Sequence, residues 1–421
     1  MNASSPEKVR RLPWAIAGST ANSIFNTLIV SGSVFMLFVS ELGLSKTQIG
    51  FLLSLFPFAQ LISLFILPQV ARFGYKRTYL TFYALRKIVV AFLILAPWVL
   101  ARFGGQAVFL YVSAIILLYG LCRAIAETGM YPWKQEYVPR EVQGKFTAIS
   151  SVSSTLGSLG ALSFASYIIG RSSELSRFQT LTAIGVCFGL LMIWLLSHIP
   201  GGVPTKAAST TSRHEFREAL YDSTFVRFLW VTILMTVATG PIVSFLPLFM
   251  QEQIGLSAGQ VVRTQTGSMV GMLFSSYGWG WAADRYGSKP VSLLGLGLIA
   301  LLPPAWMLVP RHQASSALLA IGLVFVQGVA TMGWSVGSSR LLFADVVPVE
   351  KRGGYMAVYY AWSGLAGGLS ELLGGRLLDL TAGLKGQIGI FTIDPFAPLI
   401  VGSVLLATAS ILLIRKMQLT Q

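Results

Sequence analysis

The sequence predicts an all-α membrane protein with twelve transmembrane helices in two pseudo-symmetric six-helix bundles. Three observations lead there. The 421 residues are 54% hydrophobic and only 11% charged, with a mean hydropathy of +0.68, whereas a soluble domain carries about 25% charged residues. Apolar runs of the roughly 20 residues needed to cross a bilayer recur twelve times along the chain. Short motifs of the first half return in the second at a nearly constant offset. So much apolar surface cannot be hidden from water by the chain folding on itself, so its solvent is lipid.

The N-terminal stretch "MNASSPEKVRRLPW" is polar and basic. The apolar run after it is long enough to span, so it reads as a tail on a first helix and not as a cleaved signal. The spans fall at roughly 14–40, 48–70, 78–101, 106–131, 144–170, 177–199, 224–250, 258–282, 289–310, 314–338, 353–378 and 394–414. Their connections are short except for 200–223, which is polar, carries "GGVPTK", and then turns helical and amphipathic. The expected organisation is therefore a six-helix bundle over 1–199, a cytoplasmic central loop over 200–223, and a second bundle over 224–421. With the N-terminus inside, twenty of the 31 Lys and Arg fall in cytoplasmic segments against seven outside, which places both termini in the cytoplasm. The net charge of +15 follows from this bias and requires no nucleic-acid partner. Cys122 and Cys187 lie in apolar runs and read as small core residues, neither disulfide nor metal ligand.

The repeat has three members. "GLSKTQI" (43–49) returns as "GLSAGQV" (255–261), an offset of 212. The loop within "LPQVARFGYKR" (67–77) returns within "WGWAADRYGSKP" (279–290), an offset of 213. "EYVPREVQGKFTA" (136–148) returns as "DVVPVEKRGGYMA" (345–357), an offset of 209. The matches stand after span one, after span two, and between spans four and five of each half, which makes the halves parallel repeats about an axis along the membrane normal.

At these motifs the chain resembles the major facilitator superfamily over essentially its whole length. The most specific match is the family's charged loop between the second and third spans of a half: Gly280, Asp284, Arg285, Gly287 and Lys289, with Ser288 departing from the basic consensus. The resemblance implies a conformational latch. Asp284 would accept from the N-terminus of the fifth span, near Gly144, and hold the cytoplasmic side shut in an outward-open state. The first copy has Ala71 where the second has Asp284, so there Arg72, Lys76 and Arg77 read as topogenic charges. The fifth span, "SSTLGSLGALSFASYIIG", lacks the Gly-Pro-x-x-Gly-Gly signature of the family's drug/proton antiporters.

Ionisable groups inside spans cost about 2.5–3.5 kcal/mol each on insertion scales and are functional candidates for that reason. Arg123 and Glu127 stand one turn apart on span four. Glu371 in span eleven and Arg263 in span eight both lie toward the outer side, where pairing as a gate and snorkelling to the interface are competing readings. Arg86 and Lys87 in span three, a peripheral span in the resembled family, are expected to snorkel to the interface. Mid-span amides and aromatics make a candidate substrate site: Asn22, Asn26, Gln60, Gln327, Trp334, Tyr359, Tyr360 and Trp362. For each of these, plain helix packing is the competing reading.

The leading expectation is a secondary active transporter of a small polar organic solute, anionic or zwitterionic given the excess of embedded cations. Its expected partners are that solute, a proton carried by Glu127 or Glu371, and the bilayer of a bacterial plasma membrane, with the chain acting as a monomer. Efflux of amphipathic drugs or lipids on the same fold is the alternative, and a polytopic enzyme or receptor a remote one, since no nucleophile–base pair is apparent. No Walker-type loop is present, and His198, His214 and His312 have no metal-ligand spacing. No cofactor is therefore expected.

Overall fold

The computed structural model describes residues 5–30, 32–139, 142–171, 174–202, 213–348, 352–388 and 391–416. Its helices are α1 (Ser5–Ile29), α2 (Gly32–Glu41), α3 (Lys46–Gln60), α4 (Ser63–Phe73), α5 (Tyr75–Ala91), α6 (Ala96–Phe103), α7 (Gly105–Tyr137), α8 (Gln143–Arg171) and α9 (Ser176–Ser197) in the first half. The second half has α10 (Arg213–Tyr221), α11 (Ser223–Phe249), α12 (Ala258–Tyr286), α13 (Ser288–Met307), α14 (Ser316–Arg340), α15 (Arg352–Leu380) and α16 (Ala397–Lys416). A small antiparallel hairpin, β1 (Gly386–Ile388) and β2 (Phe391–Ile393), pairs Gly386 with Ile393 ahead of α16.

The twelve expected spans are all present, three of them in pieces. The first is α1 and α2, the second α3 and α4, the third α5 and α6 joined by a 3-10 turn at Phe92–Leu95. Proline accounts for one of the breaks. It supplies no N–H and crowds the carbonyl four residues back, and Pro97 follows the 3-10 turn ahead of α6. At the Leu61–Ile62 break the chain falls to three-residue hydrogen bonds. Among the described residues, nine of the rods are long and apolar enough to cross a membrane by length and composition. The amphipathic segment expected in the central connection is α10; residues 203–212 of that connection lie outside the described residues.

The chain forms two compact units, one of residues 1–44 and 55–210, the other of 45–54 and 211–421. In the first, α1 packs on α8 and α9, and α5 on α7 and α9. Its core is rich in aromatics, with Tyr79, Tyr83, Trp133, Tyr137 and Phe146 all buried. In the second, α14 packs between α12 and α13, and α11 against α15 and α16. Gly271 and Gly328 make the α12–α14 contact possible: a Cβ on either would stand 2.2 or 2.1 Å from a carbonyl oxygen of the facing helix. Small residues of this kind let membrane helices approach closely.

Two of the three repeats are duplicated down to their hydrogen bonds. Gly43 and Gly255 both have positive φ, 77° and 84°. In each copy the next serine and the glutamine three residues on cap each other's backbone N–H: Ser45 with Gln48 at 2.9 and 3.2 Å, Ser257 with Gln260 at 2.9 and 3.3 Å. This reciprocal pair satisfies two N–H groups that a helix start leaves free. Gly74 and Gly287, at φ 99° and 89°, are the one-residue turns between α4 and α5 and between α12 and α13. The third repeat falls partly on residues 140–141 and 349–351, outside the described residues.

Three expectations about burial are corrected. Cys187 is exposed, while Cys122 is buried as expected. Arg86 and Lys87 do not snorkel: their exposures are 1% and 0%. The reason is that α5 turns this face toward α1, α7 and α9 of its own unit.

Candidate functional site

In the first unit, α1 and α5 bring Asn22, Asn26, Arg86 and Lys87 together. Lys87 Nζ donates to Asn22 Oδ1 at 2.8 Å, and Arg86 Nη2 donates to Asn22 Oδ1 and Asn26 Oδ1 at 3.3 and 3.4 Å. Aromatic faces surround the two cations. The Arg86 guanidinium lies 4.0 Å from the Tyr83 ring centre and 4.9 Å from that of Tyr119, and the Lys87 ammonium lies 3.2 Å from that of Phe25. Ring quadrupoles compensate part of a desolvated cation's charge. Gly189 of α9 leaves the room: a Cβ there would stand 2.8 Å from both Lys87 Cδ and the Phe25 ring. Among the described residues neither cation has a carboxylate partner, and Arg86 Nε is buried with no acceptor.

Lys and Arg head groups only donate, and the one acceptor atom in an Asn side chain is its carbonyl oxygen. Asn22 Oδ1 must therefore face the cations, which leaves its Nδ2 amino group for anything else that approaches. Asn22 also lines a cavity of about 270 Å³ inside this unit, together with Tyr79, Tyr83, Trp133, Lys134 and Tyr137. Ser150, Ser151 and Ser154 of α8 also line it. The aromatic wall is a relay of rings, with centres 4.3 Å apart for Tyr79–Tyr83, 5.7 Å for Tyr79–Trp133 and 5.2 Å for Trp133–Tyr137. Trp133 is held in place by donating from Nε1 to the Pro200 carbonyl at 3.0 Å.

The remaining polar residues of this unit form a second cluster. Arg123 Nε donates to Glu127 Oε1 at 2.7 Å, the expected one-turn pair, and Gln60 Nε2 donates to Glu127 Oε2 at 3.2 Å. Gln60 thus belongs with the carboxylate.

In the second unit, Gln327 and Trp334 of α14 line a separate, mostly apolar cavity of about 260 Å³ among Met235, Met272, Ile299 and Trp306. The candidate Arg263–Glu371 gate is not made: Arg263 is exposed, and Glu371 Oε1 accepts from Ser244 at 2.8 Å while its Oε2 is buried without a partner among the described residues. Of the three aromatics of α15, Tyr359 and Tyr360 meet edge to face, with ring centres 5.5 Å apart, but they do not turn to a common site. Tyr359 stacks on Phe228 against the unit's core, whereas Tyr360 and Trp362 are exposed. Around Gly287, Asp284 pairs with Arg340, Arg285 lies over the Trp281 ring at 5.6 Å, and Lys289 Nζ donates to the Arg415 carbonyl at 3.1 Å. Gly280 is a residue of α12 with open space beside it. Sequence reasoning placed Arg86 and Lys87 at the interface and overlooked Lys134, Tyr79, Tyr83 and Trp133. The available signal was two adjacent cations near the middle of an apolar run.

The family model described as Major Facilitator Superfamily matches residues 16–264 and 232–416. The chain belongs to the major facilitator superfamily. Solved transporters share its fold along nearly their entire length. The D-xylose-proton symporter matches at a TM-score of 0.72 and 17% identity, covering 98% of this chain and 98% of its own. A bacterial homologue of the iron transporter ferroportin, in an inward-facing state, matches at 0.72 and 14%, covering 97% and 98%. The nucleoside transporter NupG matches at 0.66 and 16%, covering 97% and 98%. A search of curated protein sequences returns no match. The chain is thus a membrane transporter by family and fold.

Proposed function

We propose that this transporter moves a small organic anion or zwitterion by alternating access, coupled to protons. The observation that carries the reading is the Arg86–Lys87 pair, two adjacent buried cations with no carboxylate partner among the described residues. Leaving such charges uncompensated away from water is costly, and a ligand's negative charge offsets that cost when the site is filled. The proton is assigned to Glu127, held between Arg123 and Gln60, or to Glu371, whose Oε2 has no partner among the described residues. Asp284 keeps its proposed latch role, exchanging Arg340 for a helix N-terminus when engaged. A bacterial plasma membrane with both termini inside fits the Lys and Arg bias.

Uptake into liposomes under an imposed pH gradient tests the reading, with panels of anionic, zwitterionic, neutral and cationic solutes. Anions or zwitterions accumulate in the parent and not in Lys87→Met. Accumulation confined to neutral or cationic solutes, or a Lys87→Met protein that transports anions normally, sinks it. The apolar cavity of the second unit favours a second reading, efflux of amphipathic compounds. An amphipathic dye in the same vesicles tests that reading.

A further inference from the structure

We propose that the cavity of the first unit binds a single-ring aromatic carboxylate. The inference rests on the reading of the chain as an organic-anion transporter and narrows its substrate. Three features of the cavity define the ligand.

The first is charge and hydrogen bonding. Asn22 is oriented by Lys87 and Arg86 so that it offers N–H donors, and Lys134 lines the same cavity. Among the described residues Lys134 has no ion pair, and its ammonium rests 5.6 Å from the Phe146 ring centre. The groups presented to a ligand therefore favour acceptors carrying negative charge.

The second feature is shape. The buried rings of Tyr79, Tyr83, Trp133 and Tyr137 form one wall, packed ring to ring at 4.3–5.7 Å. A planar ring gains edge-to-face or offset contacts on such a wall that a puckered aliphatic ring does not. The lining serines of α8 suit a ring hydroxyl.

The third is size. At about 270 Å³ the cavity falls below the roughly 300 Å³ at which drug-sized pockets begin. Its length along α8, from Phe146 to Ser154, is about 12 Å at 1.5 Å per residue. That admits one ring and its carboxylate. In the assigned arrangement the carboxylate accepts from Asn22 Nδ2, the ring lies along the tyrosines and Trp133, and Lys134 draws the anion into the cavity. Arg86 and Lys87 are positioning residues that act through Asn22.

The test uses the purified full-length protein, with calorimetric binding and counterflow in liposomes. The probes are benzoate, 4-hydroxybenzoate, cyclohexanecarboxylate, benzamide and lactate. The two aromatic acids are expected to bind at least about tenfold tighter than the saturated acid or the uncharged amide. Lys134→Gln is expected to weaken benzoate severalfold and to flatten its dependence on salt, because a long-range attraction is lost. If cyclohexanecarboxylate or lactate binds as well as benzoate, the aromatic assignment is wrong while organic-anion transport stands. If Lys134→Gln leaves benzoate affinity and its salt dependence unchanged, the site is not this cavity. If neither acid nor any other anion is moved while neutral solutes are, both this inference and the reading beneath it fail.

Discussion

Replacing Asn22 by Asp separates stability from binding at one atom. The substitution turns the acceptor 2.8 Å from Lys87 Nζ into a carboxylate. At that distance, with an effective dielectric constant of about 20, the new attraction is about 6 kcal/mol. Burying the carboxylate costs several kcal/mol, which leaves a net stabilisation of about 1–2 kcal/mol. For a unit of roughly 200 residues each kcal/mol raises the melting temperature by about 2–4 °C, so the variant should melt roughly 2–8 °C higher. Anion affinity should move the other way. The ligand loses a charge-polarised donor worth about 1.5–3 kcal/mol and meets a like charge in its place, a loss of at least about tenfold. Differential scanning fluorimetry and calorimetric titration on the same sample read both quantities. A variant that melts lower than the parent and binds anions unchanged would refute the claim that the buried cations lack a partner.

Glu127→Gln or Glu371→Gln should abolish accumulation driven by a pH gradient and preserve solute exchange, because the amide stands in for the protonated acid; flux in liposomes decides between them, and normal accumulation in both variants removes the proton. Asp284→Asn breaks a pair whose carboxylate side is 77% exposed, so its melting temperature should stay within the small effect of a surface ion pair, about 0–1 kcal/mol, while transport slows; unchanged transport would argue against a latch. Gly271→Leu drives a side chain into the Phe325 carbonyl, 2.2 Å from the added Cβ. It should cost about 3 kcal/mol or more, seen as loss of folded protein by size-exclusion chromatography.

The rods were legible because a membrane helix announces itself by length and hydropathy alone. The repeated Gly-Leu-Ser-x-x-Gln was legible because a capping box is complete within six residues. The anion site was only half legible. Asn22 stood out, but its partners come from α5, and the room for them comes from Gly189, more than 160 positions away. An apolar run has no polar face to show which way Arg86 and Lys87 turn, so snorkelling was the natural expectation. Arg263 and Glu371 failed as a pair for the same reason: depth along a helix can be counted from sequence, but azimuth cannot. The α15 aromatics show it within one turn, since Tyr359 enters the core while Tyr360, the next residue, leaves it.

The buried cations also bear on biogenesis. At roughly 2.5–3.5 kcal/mol apiece, Arg86 and Lys87 raise the insertion cost of the Tyr75–Phe103 segment by about 5–7 kcal/mol. An 18-residue stretch of that segment has a mean hydropathy of 2.0, which favours insertion. The two amides and the Phe25 ring that receive the charges belong to α1, which leaves the ribosome before α5. The third span therefore enters the bilayer beside a helix already waiting with Asn22, Phe25 and Asn26. A nascent chain lacking α1 would present the insertion machinery with two bare cations. The order of synthesis thus matches the order in which these helices need one another.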